Sequence, residues 1–363
     1  MKKEPMKTID PAKYESTASS TSVKTTLEKV EKKVTAARKA KERAPIPESP
    51  ALARYKLAAY VCEYDDAVEQ AKRSKQRTCD YQMKDGTVRE CRLDEVTKGE
   101  LLANAEKYKK IAQDYAKKCG KLLAAFPVYN EFLRFVPAFG GPMTSAKLIS
   151  AIDITRAVKA SNLQKYCGLG LERNDEGVMV AARAHRGKTL EYNAHLKVTL
   201  WQAYSSLSRL GGSEAKPSTM RTKVMQSMGG YYLDYAANYK HRLQNTPGRY
   251  DAANNTFDGR KGGKAIIHRM SWRPPTQLFL ANLYVMWRTL EGLPVWPSYL
   301  EAKLGFAHGG KAGIVGPRVL TLDEAREEVG LTGERKAMPE ELYTQEFWDS
   351  LPMPDQSEFG EEG

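Results

Sequence analysis

The sequence predicts a mainly α-helical protein, in which coiled-coil-like helices carry a small β-hairpin and are followed by a second helical domain. Three observations support this fold class. Apolar residues recur every three or four positions on both sides of residues 79–93, which is the helical period. Within 79–93, Lys84-Asp85-Gly86 suits a three-residue hairpin loop with Gly86 left-handed. A turn from Pro137 to Pro142 then separates two further apolar runs.

Shifts in composition divide the 363-residue chain into four segments. They are a basic and largely disordered arm (1–50), a helical, coiled-coil-like segment with the hairpin (51–126), a second helical domain (127–320) and an acidic tail (321–363). A short helix is expected from Ser22. In the tail, Thr321 and Glu324 fit a capping box that starts a helix, and Gly330 fits its end.

An apolar stripe runs through the second helix of the coiled-coil-like segment. Its members alternate between spacings of three and four: Leu101, Ala105, Tyr108, Ala112, Tyr115, Cys119, Leu122 and Phe126. Sustained over about four turns, this spacing is coiled-coil-like. It predicts a paired helix or a homo-oligomer contact through residues 95–126. An ordinary core stripe within the chain explains the spacing equally well.

The five cysteines contain no CxxC pair, so the sequence indicates neither a disulfide scaffold nor a zinc ribbon. The hairpin register places Cys79 opposite Cys91, and in a reducing compartment we expect two packed thiols there. No metal site and no cofactor site is predicted.

The charge of the chain is unevenly distributed. The whole chain carries +13, while residues 321–363 carry a local net charge of −10, which leaves +23 on residues 1–320. Such an excess favours a polyanionic partner, and nucleic acid is preferred over a membrane because no segment is a convincing basic amphipathic helix. No apolar run approaches the roughly 18 to 20 residues that span a bilayer, and the N-terminus lacks a signal peptide. We therefore expect a cytoplasmic, nucleoid-associated protein.

The turn from Pro137 to Pro142, here called the corner, predicts a tight hairpin of two helices. Gly140 and Gly141 would let the backbone turn and leave N–H groups free for a phosphate, with Gly141 at positive φ and Lys147 one helical turn later. The arrangement resembles the helix-hairpin-helix DNA-binding motif, although Ala138 stands where that motif has its first glycine. A plain helix corner without phosphate contact is the alternative.

A second candidate for phosphate binding lies at residues 257–268, where Arg260, Lys261 and Lys264 surround three glycines before a helix. The segment lacks the spacing of a Walker loop, and a flexible basic turn is the alternative interpretation. Pro274 and Pro275 follow and interrupt the helix, because proline lacks an N–H donor and disfavours helix at the preceding residue.

Three segments, in this order, resemble the C-terminal domain of the one-ten family of insertion-sequence transposases, also called bridge recombinases. The first segment matches the family's Tyr-x-Gly-Leu motif through Tyr166, Gly168 and Leu169. The second matches a basic turn that leads into a helix, through Gly187, Leu190, Asn193, Leu196, Lys197, Leu200 and Trp201. The third matches a late helix with His and Arg before an apolar run, through His268, Arg273, Phe279, Leu280 and Trp287. The resemblance covers about residues 95–305.

The resemblance implies a DNA-binding protein linked to transposition and recombination, which holds duplex or branched DNA mainly through backbone contacts. The corner, the basic segments and the family resemblance together give a set of candidate DNA-binding residues. They are Phe139, Gly140, Gly141, Met143, Thr144, Lys147, Arg183, Arg186, Lys188, Lys197, Arg260, Lys261, Lys264, His268 and Arg273.

The two catalytic elements of that family are not recognisable here. Residues 1–94 offer no strand of the kind that begins the family's RuvC-like carboxylate cluster, which would hold divalent cations. The interval after Gly168 and Leu169, where the family places a serine nucleophile, contains no serine up to Lys188. Catalytic residues therefore stay unknown. Two alternatives remain open: an active serine-dependent recombinase whose nucleophile is not placed, and an RNA-binding or structural adaptor protein.

Overall fold

The structure is a computed structural model of the chain. It describes residues 49–82, 88–89, 91–173, 179–181, 189–211, 219–297 and 316–331. The described part is mainly helical with small antiparallel β elements, which confirms the predicted fold class. The expected helix from Ser22, the loop Lys84-Asp85-Gly86 and the tail beyond residue 331 lie outside the described residues.

The first elements form a helical hairpin: α1 (Pro50–Gln76), β1 (Tyr81–Gln82), β2 (Val88–Arg89) and α2 (Glu95–Leu123). The side chain of Ser49 caps α1 by accepting the amide of Leu52, and Asp94 caps α2 in the same way. The strands pair antiparallel with Gln82 opposite Val88, which is the predicted register. Cys79 and Cys91 flank this ladder as free thiols.

The helices α1 and α2 pack against each other in antiparallel orientation. Tyr60, near the start of α1, places its ring 5.8 Å from that of Tyr115, near the end of α2. The predicted apolar stripe supplies the packing face of α2, with Ala105, Ala112 and Cys119 buried. Burial raises the pKa of Cys119 to about 12, because a thiolate there would lose its hydration. The stripe is thus used within the chain, as the paired-helix and core interpretations predict.

The remaining elements follow in chain order. They are α3 (Pro127–Glu131), a 3-10 turn (Leu133–Phe135), α4 (Pro142–Ala151), α5 (Ala160–Tyr166), β3 (Leu171–Arg173), β4 (Met179–Ala181), α6 (Ala194–Gly211), α7 (Thr219–Met225), α8 (Met228–Asn245), β5 (Tyr250–Asp251), β6 (Thr256–Phe257), β7 (Arg260–Lys261), α9 (Gly263–Ser271), α10 (Arg273–Leu290) and α11 (Leu322–Glu328). One continuous apolar core joins the base of the helical hairpin to α4, α6, α8 and α10.

The corner lies inside this core, between the 3-10 turn and α4. The ring of Phe139 stacks on that of Phe279 from α10, with centroids 4.1 Å apart, and lies 6.2 Å from the ring of Tyr232 from α8. On the far side of the corner, the predicted apolar face of α4 is buried as expected, at Met143, Ala146, Ile149 and Ile152. The corner therefore joins α8 and α10 through the ring of Phe139.

The backbone of the corner departs from the prediction in two respects. Gly141 has φ −56°, so the expected positive φ at this residue is wrong, and Ala138 adopts the left-handed conformation instead, with φ 68°. The amide of Gly140, expected to be free for a phosphate, donates to the carbonyl of Val136 at 2.7 Å. Gly140 is required for a different reason: a Cβ there would lie 2.0 Å from the carbonyl oxygen of Leu133.

A buried arginine ties α10 to the segment that follows α4. Arg288 donates from Nε to the carbonyl of Pro294 at 2.8 Å and from Nη1 to those of Ile154 and Ala157 at 3.1 and 3.0 Å. The hydroxyl of Tyr284 donates to Val158 O at 2.6 Å. Because buried carbonyls need donors, these two side chains stabilise a segment without regular structure.

Two local predictions in the C-terminal half are confirmed. The helix breaks at Trp272 as predicted, although Arg273, where helix was disfavoured, already begins α10, and Pro274 lies in its first turn, where a missing N–H costs little. In α11 the capping box forms in both directions between Thr321 and Glu324, and Gly330 ends the helix with φ 78°.

We predict that Gly140→Ala destabilises the fold by about 3 kcal/mol or more, or prevents folding, because the new methyl overlaps the backbone of the 3-10 turn. Gly99→Ala is the matched control: nothing lies within 4 Å of its added Cβ on α2, and the change should stabilise the fold by about 0.5 to 1 kcal/mol. Urea unfolding of both variants measures the difference. Equal stabilities would contradict the buried corner.

Candidate nucleic-acid interface

Residues 239–271, here called the basic module, contain a three-stranded antiparallel sheet and α9. The strand order is β5-β6-β7, with Tyr250 opposite Phe257 and Phe257 opposite Arg260. A small apolar layer of its own, separate from the main core, holds the module together. Its residues are Leu243, Phe257 and Ile267, with Tyr239, Tyr250, Ile266 and Met270 packed against them.

The turn before α9 is built by left-handed residues and by Asn255. Gly262, the residue before α9, has φ 81°, a conformation that glycine adopts without strain. The backbone carbonyl of Asn255 accepts the amide of Gly263 at 2.7 Å, and its side-chain oxygen accepts that of Lys264 at 3.0 Å. These two amides are thus satisfied within the chain, so an anion at this end of the module would be bound by side chains.

The two acidic residues of the module are both engaged inside it. Arg249 donates to the two carboxylate oxygens of Asp258 at 2.8 and 2.6 Å, and these hydrogen bonds hold the pKa of Asp258 below its usual value. Asp251 accepts from the side chain of Asn254 at 2.6 Å, which lowers its pKa as well. Both carboxylates therefore stabilise turns within the module.

The cations of the module point outward. Arg260, Lys261, Lys264 and Arg269 are exposed, and among the described residues none of them forms an ion pair within 4 Å. The module carries seven Lys and Arg against two Asp, a net charge of +5 over 33 residues. With its acidic groups held internally, the module presents positive charge to any approaching polyanion.

The structure brings four of the predicted site residues together in this module: Arg260, Lys261 and Lys264, which are exposed, and His268, which is half-buried. His268 lies one turn beyond Lys264 on the same face of α9. These four residues form the candidate interface.

The corner residues are placed elsewhere. Phe139, Gly140, Gly141 and Met143 are buried in the main core, so they present no side-chain surface to a ligand, and Thr144 is half-buried.

Lys147, the charge expected beside the corner, is ion-paired. Its Nζ lies 2.6 Å from Oδ1 of Asp65 and 5.6 Å from the ring centroid of Tyr64, both on α1. The side chain is only 22% exposed. Lys147 therefore joins α4 to the helical hairpin, at a place distinct from the basic module.

Arg273 and Lys197 pack around the Tyr-x-Gly-Leu segment. Arg273 donates from Nη2 to the carbonyls of Leu169 and Gly170 at 3.1 and 3.2 Å. Lys197 places its Nζ 4.5 Å from the ring centroid of Tyr192. Both side chains thus support local structure. Arg183, Arg186 and Lys188 lie outside the described residues.

Sequence reasoning missed Arg269 in the module and a row of exposed lysines on α2. Arg269 lies on the solvent side of α9, opposite the buried Gly263 and Ile267, and the apolar spacing of α9 could have indicated this. The lysines Lys107, Lys110, Lys117 and Lys121 repeat at helical spacing opposite the apolar stripe, and the same spacing was the available signal.

Comparison with protein-family models, with curated proteins and with solved structures gives no match for this chain. Within the described residues, no helix is both long and apolar enough to cross a membrane. The same part of the chain holds no group of three or more His, Cys, Asp or Glu side chains arranged to bind a metal ion.

We predict that substitution of Arg273 lowers the stability of the fold, whereas substitution of Lys264, nine positions earlier, does not. Arg273→Ala should lower the unfolding free energy by about 1.5 to 3 kcal/mol, because the carbonyls of Leu169 and Gly170 lose a charged donor. Lys264→Ala should change it by less than about 0.5 kcal/mol, since the side chain is exposed. Thermal and urea unfolding measure both. If Arg273→Ala is as stable as the unmodified protein, Arg273 is not required for the local structure and belongs with the candidate interface.

Proposed function

We propose that the protein binds duplex or branched DNA through the phosphate backbone, in a role linked to transposition or recombination. The observation that carries the proposal is the basic module, in which both carboxylates are held internally while Arg260, Lys261, Lys264 and Arg269 face outward. The motif resemblance to transposase C-terminal domains supports the same partner. Nucleoid association would follow from this binding.

The chemistry of the module favours backbone contacts over base recognition. Lysine and arginine side chains on a short sheet and helix supply point charges and forked donors for phosphate oxygens. Binding of this kind releases counterions from the DNA and carries no sequence information directly. The affinity should therefore depend steeply on salt and little on base sequence.

Self-association through residues 95–126 stays a prediction, and the structure gives it no support of its own. The buried face of α2 that was expected to meet a second copy packs on α1. A dimer would consequently need the outer faces of the helical hairpin. We therefore propose DNA as the partner.

The first test titrates the intact protein into several unrelated duplexes at a series of salt concentrations, with fluorescence anisotropy as the readout. We expect similar affinities for all duplexes and a steep linear fall of log affinity with log salt. Absent binding at low salt, or binding that does not change with salt, would overturn the proposal.

The second test neutralises the module. The triple variant Arg260→Gln, Lys261→Gln and Lys264→Gln should lower the salt slope by about 2 to 3, because each lost phosphate contact removes about one counterion. Its melting temperature should match that of the unmodified protein, since all three side chains are exposed.

The control for this test carries the same charge change at three exposed cations outside the module. It combines Arg92→Gln, Arg156→Gln and Lys223→Gln. A smaller loss of slope in the control than in the module variant supports the assignment. An equal loss would show that binding follows net charge alone and would contradict a defined interface.

A further inference from the structure

The helical hairpin extends beyond the core as a two-helix arm. Only its base contributes to the main core, through residues such as Leu57 on α1 and Leu123 on α2. Farther out, the buried positions are alanines that face the partner helix: Ala67 on α1 and Ala105 on α2. Among the described residues, the exposed side chains on the outer faces of the arm are therefore available for contact with a partner.

The solvent face of α2 carries the lysine row, defined as Lys107, Lys110, Lys117 and Lys121. At 3.6 residues per turn these four residues fall within roughly a quarter of the helix circumference, on the side away from the alanine seam. All four are exposed. Because the helix rises 1.5 Å per residue, the row is about 21 Å long.

The lysines of the row have no partners among the described residues. None of the ion pairs there involves them, and Asp114 is the single acidic residue within the row. Lys118, beside the row, is used differently, because its Nζ lies 4.4 Å from the ring centroid of Tyr115. Apart from Asp114, the row is thus a line of positive charge that forms no ion pair with the described part of the chain.

On α1, in contrast, charged side chains form ion pairs. Arg73 pairs with Glu69 at 3.0 Å, and Asp65 holds Lys147. Mixed signs with pairs of this kind are typical of a solvated helix face. The helix α1 carries five Lys or Arg against four Asp or Glu, whereas α2 carries seven against four, so the excess of positive charge on the arm is larger on α2.

We propose that the lysine row binds the phosphate backbone of duplex DNA, as a second contact beside the basic module. The proposal depends on the DNA-binding function proposed above and assigns a further surface to it. Along about 21 Å of its axis a duplex carries roughly six phosphates on each strand, at about 3.4 Å per strand, and the row would contact those on the side that faces it. Flexible lysine stems adapt to such a line without fixed geometry.

The test neutralises the row with Lys107→Gln, Lys110→Gln, Lys117→Gln and Lys121→Gln in the full chain. Glutamine keeps a high helix propensity, so the melting temperature should be retained. The salt slope of duplex binding should fall by about 3 to 4. The control changes four exposed cations of the same arm to glutamine: Lys72, Lys75, Arg77 and Arg92.

A gain of binding provides an independent check. Asp114→Asn removes the single negative charge within the row and should strengthen duplex binding about twofold at low salt. The effect should vanish in the background of the neutralised row. Weaker or unchanged binding by Asp114→Asn in the unmodified protein would overturn the proposal.

The outcomes separate this inference from the proposed function. If the module variant loses affinity while the row variant keeps its slope, DNA binding stands and the row proposal is overturned. If the row variant and the arm control lose slope equally, the row is also overturned, because net charge then explains binding. An intact protein that binds no duplex DNA overturns both proposals, and tighter binding to duplex RNA of equal length overturns the assignment to DNA.

Discussion

The stack of Phe139 on Phe279, with ring centroids 4.1 Å apart, is the contact on which the rest of the fold depends. It places a turn of the backbone in the middle of the core and brings α8 to the same point through Tyr232. The turn can lie so deep because Gly140 has no side chain where the carbonyl of Leu133 passes. Its amide donates to Val136, so burial leaves that donor satisfied.

The buried corner therefore builds the fold and does not expose groups for ligand binding. A corner enclosed by aromatic rings cannot present successive amides to a phosphate, and the lysine beside it is held by Asp65. Among the described residues, exposed cations without an ion pair lie instead on a module with its own small apolar layer and on the outer face of α2. In the module, Arg249 holds Asp258 by two hydrogen bonds.

Local features were predictable from the sequence because they depend on neighbours along the chain. The hairpin register, the capping box at Thr321, the helix break before Pro274 and the apolar face of α4 all follow from local spacing and residue type. The cluster of cations at Arg260, Lys261 and Lys264 was visible in the same way. What these predictions share is that they depend on residue type and spacing within one short stretch of the chain.

The rest depends on contacts between distant segments. Phe139 and Phe279 are 140 positions apart, and nothing near either residue shows that they meet. Arg273 was assigned to DNA through the motif resemblance, whereas the carbonyls that it binds, at Leu169 and Gly170, lie about a hundred positions away. Lys147 likewise pairs with Asp65, which is 82 positions away in the sequence. Charge alone does not distinguish a lysine that builds the fold from one that meets a ligand.

Lysine modification in the presence and absence of a duplex, read out by mass spectrometry, tests the central claim most directly. The account predicts that DNA protects Lys261 and Lys264 and leaves the reactivity of Lys147 and Lys223 unchanged. Protection of Lys147 together with full reactivity of Lys261 and Lys264 would contradict it, because the corner and not the basic module would then be the place where DNA binds.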